Sequence, residues 1–324
     1  MSLARLYDVA APAKLNLFLH IVGRRPDGYH LLQSLFVLID WSDTLHFECR
    51  ADGQLTRHDL GPALPADDLC LRAARLLQAE AGCALGADIS IDKRVPWGAG
   101  LGGGSSDAAS TLLALNQLWG LRWPRSRLLP LALQLGADVP FFLGGRNAFV
   151  EGIGEQLTPL AMAPMRLAVV KPPSGIETRA LFTSPLVTRN TEPVIIAGSF
   201  AGTGQFCSGF GSNDLQHAAQ AVCPEVAEAA ALLNAAFGNS RMTGSGSAVF
   251  AHVGEVGRWS GDAREDIRDG ANEGAREPAR ERAREGAREG ASQPSAAMPV
   301  LPMGWQGRMC SSLHEHPLVG WAPA

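Results

Sequence analysis

The stretch Pro96-Trp97-Gly98-Ala99-Gly100-Leu101-Gly102-Gly103-Gly104-Ser105-Ser106-Asp107 constrains this chain more than any other. Before it, Ala87 to Val95 alternates in polarity and reads as a strand. After it, Ala108, Leu112, Leu115 and Trp119 recur at helical spacing, which predicts a helix over 107–119 with one buried face. Glycines permit positive φ and carry no side chain, so successive backbone N–H groups can point into one concavity. The helix adds its unpaired first-turn N–H groups and the positive end of its dipole, and the whole forms an anion site suited to phosphate. Ser105 and Ser106 can cap the helix, donate to phosphate oxygens or help to hold Mg²⁺. Asp107 fits less well, because its charge repels an anion; either it points away or a cation shields it.

Other readings of the glycines compete. Gly98, Gly100 and Gly103 fit a Gly-x-Gly-x-x-Gly dinucleotide pattern, but that fold needs a further strand ending in an acid roughly 20 residues on. Leu121-Arg122-Trp123-Pro124 stands there instead. A P-loop would need a lysine directly after the glycines, and none follows. A bare structural turn remains the third reading.

Around this loop the chain reads as mixed α and β. Strands are predicted over 14–20, 31–41, 45–49, 148–150, 166–171 and 248–253, and helices over 67–79, 128–135 and 225–237. A turn over 23–28 separates the first two strands. The strand at Arg166 suggests a new unit, so the division is set near Pro164: one domain over 1–163, a second over 164–324. Residues 254–299 differ in kind. Arg276, Arg280, Arg284 and Arg288 recur every fourth position, as do Glu277, Glu281, Glu285 and Glu289. Gly274, Pro278, Gly286 and Gly290 interrupt them, and little besides alanine is apolar, so the segment reads as a solvated, disordered insertion.

A net charge of −4 gives no electrostatic reason to expect nucleic acid or an anionic membrane as a partner. The six cysteines form no Cys-x-x-Cys pair and no zinc spacing, and read as reduced thiols of a cytoplasmic protein. His314 and His316 gather no further ligands and read as surface residues, so no metal site is expected beyond the nucleotide's own ion.

Four blocks, in order along the chain, resemble the GHMP kinase superfamily: Ala13-Lys14-Leu15-Asn16-Leu17 with Asp27-Gly28-Tyr29-His30; the loop ending Gly104-Ser105-Ser106-Asp107-Ala108-Ala109; Gly136-Ala137-Asp138-Val139-Pro140-Phe141-Phe142; and Met242-Thr243-Gly244-Ser245-Gly246-Ser247. Within it they resemble the branch that acts on a cytidine diphosphate-linked methylerythritol in non-mevalonate isoprenoid precursor synthesis. The resemblance implies an α+β fold of two domains, an N-terminal α+β domain and a C-terminal ferredoxin-like one, with the site between them. It implies ATP and Mg²⁺ as cofactors and transfer of the γ-phosphoryl to the substrate's 2-hydroxyl, by a monomer or weak homodimer with no nucleic-acid or membrane partner.

By the same resemblance Asp138 is the base and Lys14 its cationic partner. Pro96, Gly98, Gly100, Leu101, Gly102, Gly103, Gly104, Ser105 and Ser106 hold ATP, with Gly244, Ser245 and Gly246 closing over it. Tyr29 and Phe182 sandwich the cytosine, Asn16 and His30 hydrogen-bond the substrate, and Thr178 contacts its diphosphate arm. Asp68 departs from the pattern, standing where the family often has asparagine near the adenine. Two alternatives stay open: another GHMP small-molecule kinase, or an inactive nucleotide-binding homologue.

Overall fold

A computed structural model describes residues 4–194, 211–254 and 297–323. Most of the Arg/Glu-rich stretch, residues 255–296, lies outside the described residues, as does Cys207.

The first sheet begins with two long antiparallel strands, β1 (Arg5–Arg24) and β2 (His30–Arg50), joined by the turn at 25–29. The sequence suggests three shorter strands here. The chain instead runs on through them, because bulges at four places along the pair absorb the irregular residues without ending the ladder. β3 (Leu55–Asp59) lies parallel to β4 (Gly86–Asp92), and β5 (Ala148–Glu151) and β6 (Gln156–Pro159) complete the sheet in the order β3-β4-β2-β5-β6, with β1 on β2.

Helices α1 (Leu69–Ala81), α2 (Gly103–Leu118), α3 (Arg125–Leu135) and α4 (Val139–Gly144) pack on this sheet around one apolar core. Asp68 caps α1, its carboxylate accepting from Leu71 N–H at 3.1 Å. α2 differs from its expected form in two ways. It begins four residues early, at Gly103, and it is buried almost all round rather than on one face. Even Ser110, Thr111 and Asn116 are enclosed. Packing against β1, α1 and α4 holds it, which outweighs the poor helix propensity of its two leading glycines.

The second sheet has the order β10-β7-β9-β8, from β7 (Arg166–Lys171), β8 (Arg241–Met242), β9 (Val249–His252) and β10 (Gln306–Ser311), all antiparallel. α6 (Gln216–Val222) and α7 (Pro224–Phe237) cover one face, and the short α5 (Thr178–Thr183) follows β7. A further core joins the sheets, with Leu15 and Leu17 of β1 meeting Leu167, Val169, Ala248 and Phe250, and Ala99 and Leu101 of the glycine loop among them.

The last described residues cross back to the first sheet's helices. Arg125 donates through Nε to Leu143 O at 2.9 Å and through its Nη groups to Val319 O and Ala322 O. His316 lies inside this join rather than on the surface. It is 1% exposed, its Nδ1 accepts from Leu318 N–H at 3.1 Å, and burial, with Arg125 nearby, pushes its pKa down to about 3.

Candidate active site

Two adjoining cavities lie between the sheets. The larger, about 1050 Å³, is walled by Lys14, Asn16, Tyr29, His30, Asp138, Thr178 and Phe182, and the smaller, about 260 Å³, by the glycine loop from Pro96 to Ser105. Gly100, Gly102, Thr178 and Ser245 belong to both walls.

The glycine loop has a conformation few other residues could adopt. Gly98, Gly100 and Gly102 have φ of 60°, 72° and 70°. A Cβ on Gly100 would collide with Thr243 O and sit 3.1 Å from Gly246 N; one on Gly102 would sit 3.2 Å from Lys14 Cε. Lys14 N–H donates to Leu101 O at 2.9 Å, and Ser247 N–H and Ala248 N–H donate to Gly98 O and Ala99 O at 3.3 and 3.2 Å. The loop is therefore clamped between β1 and the turn that joins β8 to β9. The first α-helical bond of α2 runs from Ser106 N–H to Gly102 O, so the N–H groups of Gly103, Gly104 and Ser105 remain free at the helix start. Ser105 lines the cavity, whereas Ser106 is fully buried and does not reach it.

Asp107 is turned away from the cavity and neutralised. Lys93 Nζ bridges Asp43 and Asp107, at 2.5 Å from Asp107 Oδ2. Burial pushes the Asp107 carboxyl well up, against the pull of Lys93. Asp43 also accepts from Arg94 N–H and Val95 N–H at 2.6 and 2.7 Å, so the triad ties the end of β4 to the first turns of α2.

Lys14 and Asn16 alternate on β1 and so share one face. Lys14, 3% exposed, donates to Asn16 Oδ1, lies 3.5 Å from Asp138 Oδ2 and sits 4.6 Å above the Phe36 ring. Asn16 is fixed in turn by Ser34 Oγ at 2.9 Å and by its N–H to Thr243 Oγ1 at 2.8 Å. Asp138 precedes α4 without capping it, which leaves its carboxylate for Lys14. A carboxylate and an ammonium so placed, at the edge of an amide-lined concavity, can take a proton from an alcohol and steady a charged oxygen.

In the larger cavity Phe182 stacks on His30, with ring centroids 5.2 Å apart and planes at 26°, while Tyr29 is 60% exposed at the mouth. The ring that Phe182 meets is His30, not Tyr29. Thr178 Oγ1 and Ser245 Oγ are hydrogen-bonded at 2.8 Å, joining α5 to the β8–β9 turn. Asp68, besides capping α1, pairs with Arg57 at 3.0 Å.

Several residues here escaped the sequence reading. Asn213 Nδ2 donates to Met242 O and Gly244 O, both at 2.8 Å, and fixes the β8–β9 turn. Buried Lys171 donates to Pro172 O and to Ser174 O, and Ser174 O also accepts from Ser247 Oγ. Lys93 and Trp97 wall the smaller cavity, and Arg24, Arg179 and Arg189 the larger. Of these only Lys93 carried a local signal, as a lysine at the end of the strand that feeds the loop.

Comparison with known proteins agrees with this geometry. Residues 68–146 match the GHMP kinases N terminal domain and residues 192–285 the GHMP kinases C terminal family. A 4-diphosphocytidyl-2-C-methyl-D-erythritol kinase of Methylibium petroleiphilum is 59% identical over 99% of this chain and 100% of its own. One from Albidiferax ferrireducens is 51% identical over 98% and 96%. A crystal structure of 4-(cytidine 5'-diphospho)-2C-methyl-D-erythritol kinase superposes with a TM-score of 0.65 at 38% identity, covering 77% of this chain and 90% of that one. A mevalonate kinase, with a TM-score of 0.58 at 15% identity, shares the fold. The chain belongs to the 4-diphosphocytidyl-2-C-methyl-D-erythritol kinase family of GHMP kinases.

Proposed function

We propose that this enzyme transfers the γ-phosphoryl group of ATP to the 2-hydroxyl of 4-diphosphocytidyl-2-C-methyl-D-erythritol, a step toward isoprenoid precursors. The observation that carries the reading is the shared wall. ATP phosphates on the free amides of Gly103 to Ser105 and an acceptor in the larger cavity would meet at Gly100 and Gly102, beside Lys14 and Asp138.

Asp138 takes the hydroxyl proton as the oxygen attacks, and Lys14 balances charge on the moving phosphoryl group. Gly244 to Gly246 close the far side of the phosphates. Asn16, Tyr29, His30, Thr178 and Phe182 hold the acceptor. Ser106, enclosed in α2, acts by packing rather than by contact. Mg²⁺ suits this site as the ion of the nucleotide. No group of three or more His, Cys, Asp or Glu side chains gathers as a metal cage among the described residues, and Ser105 is the loop hydroxyl on the cavity wall. When bound, the ion would neutralise phosphate charge.

The reading carries a nucleotide lobe over 1–163 and a second lobe over 164–324, working in the cytoplasm as a monomer or weak homodimer. The five described cysteines are free thiols, which suits a reducing compartment. No helix among the described residues is long and apolar enough to cross a membrane.

The test is ADP release with the cytidine-linked substrate, for the wild type and for Asp138→Asn. Turnover should fall about 10²–10⁴-fold in the variant with ATP binding retained. Undiminished turnover removes the base assignment.

A further inference from the structure

Arg189 takes no part in the reading above, yet each of its three guanidinium nitrogens is engaged on the wall of the larger cavity. Nη2 donates to Phe182 O and Ser184 O, both at 2.9 Å, Nη1 donates to Val187 O at 3.3 Å, and Nε faces His30 Nε2 at 3.4 Å. A guanidinium has only donors and stays protonated at any ordinary pH, so the nitrogen that meets it must offer a lone pair. Burial, and then the charges of Arg189 and Arg24, push the His30 pKa down, which keeps the ring neutral at neutral pH. A neutral imidazole with its lone pair at Nε2 carries its proton at Nδ1. Among the described residues no group accepts from Nδ1, so that N–H is what the ring can offer a ligand. The same guanidinium, through the carbonyl of Phe182, also holds the ring on which His30 stacks.

We propose that Arg189 is a positioning residue that fixes His30 as an Nδ1–H donor, and so selects a pyrimidine with an acceptor at N3, as in cytosine, over one with an N–H there, as in uracil. The selection rests on the reading that the cavity takes a cytidine-linked substrate. A site built to donate to one ring nitrogen rejects a base that presents a donor at that place, because two donors would face each other in a partly enclosed site.

The tautomer can be read without substrate. Long-range ¹H–¹⁵N correlation spectra of the full chain, ¹⁵N-labelled at histidine and assigned with His30→Gln, should show His30 as Nδ1–H. Arg189→Met should lose that fixed tautomer, and Arg189→Lys, which restores a cationic donor, should recover it. In parallel, kcat/KM is measured for cytidine-linked and uridine-linked substrates. The wild type should prefer cytidine, and Arg189→Met should shrink that preference about tenfold or more, the scale of one lost base contact, chiefly through KM; Arg189→Lys should restore part of it. An Nε2–H signal for His30 in the wild type overturns the proposal whatever the kinetics, and applies even if Arg189→Met does not fold. A cytidine preference unchanged in a folded Arg189→Met also overturns it. Absence of wild-type turnover with the cytidine-linked substrate instead removes the functional reading, and with it the selection.

Discussion

Gly100 and Gly104 lie four residues apart, the first in the loop and the second in the first turn of α2, and alanine should shift stability in opposite directions at the two. At Gly100, φ is 72° and a Cβ would run into the Thr243 carbonyl. Left-handed backbone costs an L-residue about 1–2 kcal/mol, and forcing a methyl into a packed contact costs about 1–3 kcal/mol. The obstructing atom is backbone of the turn that walls the cavity, so it cannot swing aside as a side-chain tip would. Gly100→Ala should therefore lose about 2–5 kcal/mol of stability. Gly104 lies in the first turn of α2, and a Cβ there meets only Leu69 Cδ1 at 3.5 Å, an ordinary contact. Gly104→Ala should gain about 0.5–1 kcal/mol, the usual glycine penalty within a helix. Both variants should weaken ATP, the first by parting the loop from the turn, the second because Gly104 lines the smaller cavity and its methyl would stand where phosphate approaches the amides. Urea unfolding followed by circular dichroism gives the stabilities and titration calorimetry the ATP affinities. A destabilised Gly104→Ala would refute a helix that begins at Gly103. Wild-type ATP affinity in that variant would refute phosphate seated on the first turn of α2.

Other predictions concern the buried charges. Lys93→Met strands two enclosed carboxyl groups and should cost about 3–5 kcal/mol, whereas Asp107→Asn leaves Lys93 paired with Asp43 and should cost less; urea midpoints compare them. His316 titrates near 6.5 when unfolded and about 3 when folded, so between those values the unfolded chain binds the extra proton and stability falls as pH falls. From pH 7.5 to pH 5 this histidine alone should remove about 2 kcal/mol; thermal melts at both values should show a smaller difference in His316→Asn, whose amide oxygen can still accept from Leu318 N–H.

The sequence made the glycine loop, the meeting of Lys14 with Asp138 and the strand β7 legible because each rests on a local pattern: a glycine cluster, a four-block resemblance, a β-rich run after a proline. It misplaced the start of α2 because propensity argues against helical glycines, and only the packing around that helix overrules it. It put His316 on the surface because a short polar stretch looks solvated until the C-terminal segment is seen to lie under Arg125. Asn213 and Lys171 were invisible for a related reason. Their partners are backbone carbonyls of turns, and nothing in a residue's own neighbourhood announces them. The charge beside the phosphate loop was read as a conflict between Asp107 and an anion. Lys93 resolves it, but that lysine is 14 residues from Asp107, and Asp43, which completes the triad, is 50 residues from Lys93.

The Lys14–Asp138 pair is unequal, and the inequality says which member is fixed. The lysine side chain is 4% exposed and the aspartate's 31%. Lys14 is hemmed in by Asn16 Oδ1, by the Phe36 ring at 4.6 Å and by the backbone at Gly102, whose missing Cβ leaves room for the Phe142 ring and for Lys14 Cε. A planar guanidinium is wider than an ammonium and has no such space. Lys14→Arg should therefore keep the charge and still fail: turnover should fall at least 10²-fold, because misplacement by about an ångström is enough for that. ATP affinity should change by less than tenfold, since in the proposed function the amides of α2, not Lys14, hold most of the triphosphate. The stopped-flow burst of ADP and the calorimetric ATP affinity separate these two effects. If Lys14→Arg turns over within a few-fold of the wild type, charge alone suffices at this position, and the close space around Lys14 does not select an ammonium.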